Sequence, residues 1–469
     1  MAAAHTPGPS RRGTFLRVLG VGFGLAVTVG NTVGAGILRT PGEVATQLTA
    51  PWLVLTVWLA GGLYALLGAV SLSELGAMMP RSGGYYVFAR RAFGDFPAFV
   101  VGWTDWLGQC GTIAATAILL GEYTGEIWPA LAGRTVASAA LITVALALLQ
   151  ARGVRWGGNF QNLATSLKGL AFLALVASFV ALAPAAPAPA PALLTDPPLH
   201  HGSALAVALL IALQAVIYTY DGWYGVIYFG EEVRHPARDV PRSMIGGVLL
   251  VMAIYLPLNW ALLRLLPPGQ MGGRTLAVAT AAEQVFGTGG AQLVRIVAII
   301  CVIGAVNAYH LMTSRIPVAL ARDGLLPARF AEVNAGGTPT LGLVLSTGAA
   351  LLFLLTGSFR QVTAVMAFFF VANYVMAYLA VFVLRWREPQ APRPFRALGH
   401  PLSTGLALLL SLAFLVAAFA GDTRNSVGAL LVLAGSYPVY RCVRRFAQAP
   451  GAGAHETDPR TEFPRPDPG

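Results

Sequence analysis

Lysine occurs once in this chain, at position 168, among 31 lysine and arginine residues, inside the apolar run NFQNLATSLKGLAFLALVASFV. A charge within a membrane segment is costly and usually functional, and a lysine can exchange its proton where an arginine cannot. Its plain alternative is a stem that snorkels its ammonium to water. Asp221 lies beside Gly222 in YTYDGWYG. Its carboxylate reads first as the cap of a restarting helix, which leaves its backbone carbonyl for a ligand. Asp105, in GWTDWLGQCG, requires a buried partner or a water-filled face, and structural pairing and cation selectivity both stay open. His310, in CVIGAVNAYHLMTSR, reads as a hydrogen-bonded packing residue rather than a proton carrier. The main chain is a further candidate: GNTVGAGILRTPG puts Gly34, Ala35 and Gly36 where a spanning helix should be densest. An unwound turn there frees N–H and C=O groups, which in hydrocarbon must find partners or line a cavity. The resumed helix offers N–H donors suited to a carboxylate, and the preceding one offers carbonyls suited to an ammonium. A zwitterionic amino acid satisfies both.

Other chemistries lack their residues. None of the constellations of a membrane-embedded enzyme, HExxH, GxSxG or paired intramembrane carboxylates, is found, and no cofactor is called for. Cys110, Cys301 and Cys442 show no CxxC spacing, so neither a metal site nor a disulfide framework is expected. The loop EYTGEIWPALAGRT has no cysteine with which to hold an external subunit, so no disulfide-linked ancillary subunit is expected. A channel would need a continuous polar lining. A nucleic-acid partner would need a clustered basic, aromatic-rich soluble face.

The elements that must position these groups are membrane helices. The 469 residues are 56% hydrophobic and 11% charged, with a mean hydropathy of +0.66, against about 25% charged in soluble domains. Apolar runs able to cross about 30 Å of hydrocarbon fall at 15–42, 51–79, 96–122, 135–150, 159–184, 203–230, 242–266, 287–320, 340–357, 361–384, 402–420 and 425–443. No cleavable signal peptide is expected, since the first apolar run is too long for one. With the N-terminus inside, alternate loops hold twenty-one arginines on one side and seven on the other. That bias places both termini in the cytoplasm and accounts for the net charge of +11. ALAPAAPAPAPALLTDPPLH reads as an extended external loop (185–202), and the tail at 450–469 as disordered, like the polar tail at 1–14. The loop separates two halves, 15–184 and 203–384, each opening on an interrupted segment, and 402–443 adds two helices. Interrupted segments in matching places point to an inverted-repeat transporter with its site at the bilayer midplane. Small residues for close helix packing are the bland reading of either break alone.

Five strings in register carry a resemblance: GNTVGAGILRTPG, SLSELGAMMPRSGGYYVFARRAFG, YTYDGWYGVIYFGEEVRHPARDVPRSM, TSRIPVALARDGLLPARFAEVNAGGTP and LRWREPQAPRPFRALGHP. The chain resembles the amino acid–polyamine–organocation superfamily, closest to its L-amino acid transporter branch and nearby bacterial amino acid permeases. The resemblance implies an all-α membrane fold of twelve helices, two inverted five-helix repeats plus two C-terminal helices, with helices 1 and 6 unwound mid-membrane. It implies sodium-independent amino acid transport across a cell membrane, by exchange or proton symport, with cationic amino acids or polyamines as the alternative cargo. The carboxylate site it implies is the turn at Gly34, with the N–H groups of Ala35, Gly36 and Ile37. The ammonium site is the carbonyls of Thr32, Tyr218, Thr219 and Asp221, with Tyr218 as a gate. Many relatives have serine where this chain has Ala35, so a hydroxyl contact is lost while the backbone donors remain. By register Tyr309 faces and narrows the pocket, and Lys168 reaches the broken first helix where sodium-coupled relatives hold their ion. The cytoplasmic charges Glu74, Arg81, Glu231, Glu232, Arg234, Arg238 and Asp239 are either ion pairs that close an inner gate or solvated loop residues of small energetic weight.

Overall fold

The structure, a computed structural model, describes residues 15–182, 202–274, 276–356, 359–421 and 423–447. The expected tails at 1–14 and 450–469, and all of the 185–202 loop but Gly202, lie outside the described residues. The first half runs α1 (Val21–Thr32), α2 (Gly36–Gln47), α3 (Pro51–Met78), α4 (Tyr85–Phe93), α5 (Asp95–Ile127), α6 (Thr135–Ala151) and α7 (Val154–Leu182). The second runs α8 (Ser203–Thr219), a 3-10 turn (Gly225–Phe229), α9 (Pro236–Leu265), α10 (Pro268–Met271), α11 (Ala277–Phe286) and α12 (Thr288–Thr313). It continues with α13 (Arg315–Arg322), α14 (Thr340–Thr356) and α15 (Phe359–Arg387), and α16 (Leu402–Gly421) and α17 (Thr423–Ala447) close the chain. Among the described residues there is no strand, only one isolated bridge between Leu19 and Val233.

Local sequence explains the joints. Pro51 and Pro236 open α3 and α9, where a missing N–H costs nothing. Gly94, at φ 86°, turns α4 into α5 without a loop. The expected apolar runs fall mainly on helix; those at 15–42 and 203–230 include non-helical stretches at 15–20, 33–35 and 220–224. Seven helices are long and apolar enough to cross a membrane, or eight if the bent pair α1–α2 is one span. The stretches between runs hide short helices that the hydropathy runs do not mark, α4, α10 and α11, while the run at 287–320 divides into α12 and α13. One expectation is corrected in segment six. No α-helix restarts at Asp221; α8 stops at Thr219 and the chain passes through turns into the 3-10 turn at Gly225–Phe229.

In the interior, α3 packs along α9, α5 packs against α12 and α15, and α1 lies between α7 and α9. Trp58, Tyr220 and Tyr255 meet with ring centroids 5.0–6.0 Å apart, locking α3, the end of α8 and α9 together. Such aromatic pairs contribute about 0.5–1.5 kcal/mol each beyond their burial. Outer faces are apolar: α16 exposes Leu402, Leu409 and Val416 at seven-residue spacing, by 82%, 65% and 70%. That stripe suits hydrocarbon, not water.

Candidate functional site

The two breaks meet in space. At the first, Val33 N–H reaches back to Val29 O at 2.7 Å and Gly34 N–H to Thr32 O at 2.9 Å. The chain then bends by 42° into α2. Leu38 is the first residue of the new helix to donate within it, to Ala35 O at 3.1 Å. Ala35, Gly36 and Ile37 therefore have N–H groups with no backbone acceptor, as at any helix start. A Cβ placed at Gly34 would meet nothing within 4 Å, so this turn borders open space.

At the second break, Gly222 takes φ 108°, a region that favours glycine, and its α-carbon packs directly on Asn31. Asn31 Nδ2 donates to Gly222 O at 3.1 Å. The Thr40 and Thr219 hydroxyls lie 2.7 Å apart and pin α2 to the end of α8. The Tyr255 hydroxyl, from α9, points at two carbonyls, Thr32 O at 2.9 Å and Thr219 O at 3.3 Å. The structure thus gathers Thr32, Gly34, Ala35, Gly36, Ile37 and Thr219 around one place. Tyr218, 37% exposed, sits on the last turn of α8. Tyr309 of α12 is buried within electrostatic reach of Asp221 and Tyr218. Four of the buried side-chain polar atoms without a protein partner lie near the breaks: Thr28 Oγ1, Asn31 Oδ1, Thr32 Oγ1 and the Tyr220 hydroxyl.

Lys168 is fully buried, which rules out snorkelling. Its ammonium donates to Gly30 O at 2.8 Å and Val33 O at 3.0 Å, the free carbonyl end of α1. A cation at a helix C-terminus is favoured by the macrodipole. Among the described residues no carboxylate pairs with it. One face of α7 follows α1 throughout: Thr165 Oγ1 donates to Ala26 O at 2.8 Å, and Gln161 joins Asn307 of α12 at 2.9 Å. Gly304 makes room for the lysine, since a Cβ there would stand 2.9 Å from Nζ.

Asp221 does not cap a helix. Its carboxylate accepts from the hydroxyls of Tyr374 and, at 3.4 Å, Tyr224. Asp105 is fully buried, bound by the Tyr228 hydroxyl at 2.8 Å and Gln109 Nε2 at 2.9 Å. Its partner is therefore neutral. Tyr85 packs against Tyr224, Tyr228 and Tyr374, so a tyrosine cluster separates the two carboxylates. His310 is buried, with Nδ1 2.9 Å from Val306 O and Nε2 without a partner.

Of the charges clustered in the sequence, Glu74, Arg81, Glu231, Glu232, Arg238 and Asp239 form ion pairs and, among the described residues, Arg234 does not. Arg315 and Glu232 make a two-pronged, fully buried pair at 2.9 and 3.0 Å. Burial pushes the Glu232 carboxyl above its usual range while Arg315 pulls it back. Arg322 holds Glu231 at 2.7 Å; Arg81 and Arg90 both reach Asp323; Arg385 and Arg393 grip Glu74. Arg238 pairs with its neighbour Asp239 at 3.0 Å. The segment before α1 is stitched to this cluster, Leu19 N–H to Glu232 O at 2.9 Å and Arg234 N–H to Leu19 O at 2.8 Å. Sequence reasoning did not find Asn31, Thr40, Tyr255 or the tyrosines around Asp221. Asn31 and Tyr255 did carry a signal, as polar groups in the middle of apolar runs.

Residues 15–439 match the family model described as amino acid permease. The chain is similar to the serine/threonine exchanger SteT of Bacillus subtilis (strain 168), 28% identical over 439 residues, covering 90% of this chain and 95% of that one. It is 26% identical over 470 residues to the human Asc-type amino acid transporter 1, covering 94% and 87%. To the human b(0,+)-type amino acid transporter 1 it is 25% identical over 410 residues, covering 85% and 82%.

Proposed function

The chain belongs to the amino acid permease family, and from that premise we propose that it carries neutral L-amino acids across the cell membrane by alternating access. The observation that carries this is the meeting of the two breaks. The carbonyls of Thr32 and Thr219 lie on either side of one hydroxyl, close to the acceptor-less N–H groups of Ala35, Gly36 and Ile37. An ammonium suits the first set and a carboxylate the second. Tyr218 gates the site and Tyr309 narrows it, in keeping with small or medium side chains. The chain crosses the bilayer twelve times as two inverted repeats plus two helices, with both termini in the cytoplasm. It works without a disulfide-linked subunit, in keeping with the cysteine-free loop EYTGEIWPALAGRT.

Transport is sodium-independent. Lys168 holds the carbonyl end of α1 with a fixed ammonium, the role a bound cation would otherwise fill. Exchange and proton symport both fit this arrangement, and the serine/threonine exchanger among the relatives favours exchange. A second reading, cationic amino acids or polyamines, is favoured by Asp221 and Asp105, neither of which has a cationic partner among the described residues.

Purified protein in liposomes tests all of this with radiolabelled serine, alanine, leucine and arginine. Internal amino acid, a pH gradient and sodium are varied separately. Uptake of serine, alanine or leucine stimulated by internal amino acid establishes exchange, and stimulation by the proton gradient establishes symport. Uptake of arginine alone moves the assignment to the cationic reading; uptake of none of the four overturns the substrate class.

A further inference from the structure

Apart from the breaks, the structure has a polar cleft of about 400 Å³ between the start of α1 and the start of α7. Arg155, Asn159 and Asn162 of α7 form one wall, Arg234 another, and Gly20 and Gly22 the floor. No carboxylate lines it. Glu231 and Glu232, beside Arg234 in the chain, are committed to Arg322 and Arg315. Among the described residues neither Arg155 nor Arg234 forms an ion pair, so two guanidiniums face a cavity with nothing to neutralise them. The floor is bare: a Cβ at Gly20 or Gly22 would meet nothing within 4 Å. The polar part of the lining suits an anion, and Val18, Leu19 and Phe23 supply an apolar remainder.

What lies above the cleft narrows the class of anion. Helical geometry, 100° and 1.5 Å per residue, puts Leu170 and Leu173 on the same face of α7 as Arg155, Asn159 and Asn162, roughly 16 Å further along from Asn159 to Leu170. Leu170 and Leu173 are 64% and 59% exposed, and Leu163 and Leu167 widen the stripe. Trp156, 58% exposed beside Arg155, is the kind of residue that sits at headgroup depth. A polar pocket thus opens directly onto a lipid-facing leucine stripe, matching a molecule with an anionic head and an apolar tail.

We propose that this cleft seats the phosphate headgroup of an anionic phospholipid, its acyl chain lying along α7. The headgroup joins α7 through Arg155 to the segment after the 3-10 turn through Arg234, and so braces the end of the bundle where α1 begins. The proposal rests on the membrane placement argued above, but its readout is lipid binding and does not pass through transport.

The test titrates purified protein in detergent with short-chain phosphatidylglycerol and phosphatidylcholine, following bound lipid by native mass spectrometry. An Arg155→Ala/Arg234→Ala variant should bind phosphatidylglycerol about thirtyfold more weakly, each basic residue near an anionic surface contributing roughly fivefold. Arg152→Ala/Arg329→Ala, which removes the same charge outside the cleft, should stay within about twofold of the unmodified chain, as should Arg155→Lys/Arg234→Lys. The thermal unfolding midpoint of each variant, read alongside, separates lost binding from lost fold. Equal phosphatidylglycerol binding in the Ala/Ala variant and its charge-matched control overturns the proposal. So does displacement of the lipid by millimolar inorganic phosphate, which would mark a free-anion site, or equal affinity for phosphatidylcholine.

Discussion

The breaks and the ion-paired end treat polar groups in opposite ways. At the breaks, N–H groups at 35–37 lack backbone acceptors, four buried polar atoms nearby lack partners, and a turn faces open space. At the other end Glu74, Glu231, Glu232 and Asp323 are each taken by arginine, two of them by two arginines at once. Unsatisfied buried groups cost free energy in a folded chain; four of the thirteen such side-chain atoms among the described residues lie at the breaks, beside the acceptor-less N–H groups and the open turn. Where the ion pairs gather, each carboxylate is instead held across elements that are distant in sequence, so its bonding is already complete.

Substitutions can break or sharpen this contrast. The largest effect belongs to the ion-paired end. Arg315→Ala strands the Glu232 carboxylate in a fully buried site and should cost about 3–5 kcal/mol, read as a large drop in thermal unfolding midpoint in detergent. An unchanged midpoint would mean the pair holds nothing. Next comes Lys168→Ala, which uncovers the carbonyls of Gly30 and Val33. With charged hydrogen bonds contributing about 1.5–3 kcal/mol each, liposome uptake should fall tenfold or more, and full uptake would remove Lys168 from the cycle. Gly304→Ala pushes a methyl against Lys168 Nζ and should lower uptake severalfold while the protein still folds, within the roughly 1–3 kcal/mol of modest overpacking. If its uptake matches the unmodified chain, the lysine's position is not critical. The smallest structural effect is expected at the open turn: Gly34→Ala meets no atom, so stability should change by less than about 0.5 kcal/mol while the apparent affinity for amino acid falls. Unfolding of that variant would contradict an open turn.

Much of the architecture is legible in the sequence because membrane helices announce themselves by length and apolarity, one run at a time. Gly34-Ala35-Gly36 and Asp221-Gly222 are equally local signals, and both fall where the helices stop. The arginine bias is likewise a sum over loops and is read without knowledge of contacts. What stays hidden depends on three-dimensional proximity. Glu74 finds its arginines 311 and 319 residues away, and no spacing rule foretells that. Asp221 sits next to a glycine and so looks like a cap, yet the tyrosines on α15 and in the turn claim its carboxylate instead. Helix α4 is missed because it is short and carries two arginines, and it is held by burial against the bundle, not by its own hydropathy.

A phenol owns a single hydrogen, yet the ring of Tyr255 faces two oxygens belonging to different halves of the chain. Thr32 O has a second donor in Gly34 N–H, so the hydroxyl can turn wholly to Thr219 O without stranding the carbonyl of the first break. One phenol thus ties the end of α1 to the end of α8, and its loss would loosen both breaks at once.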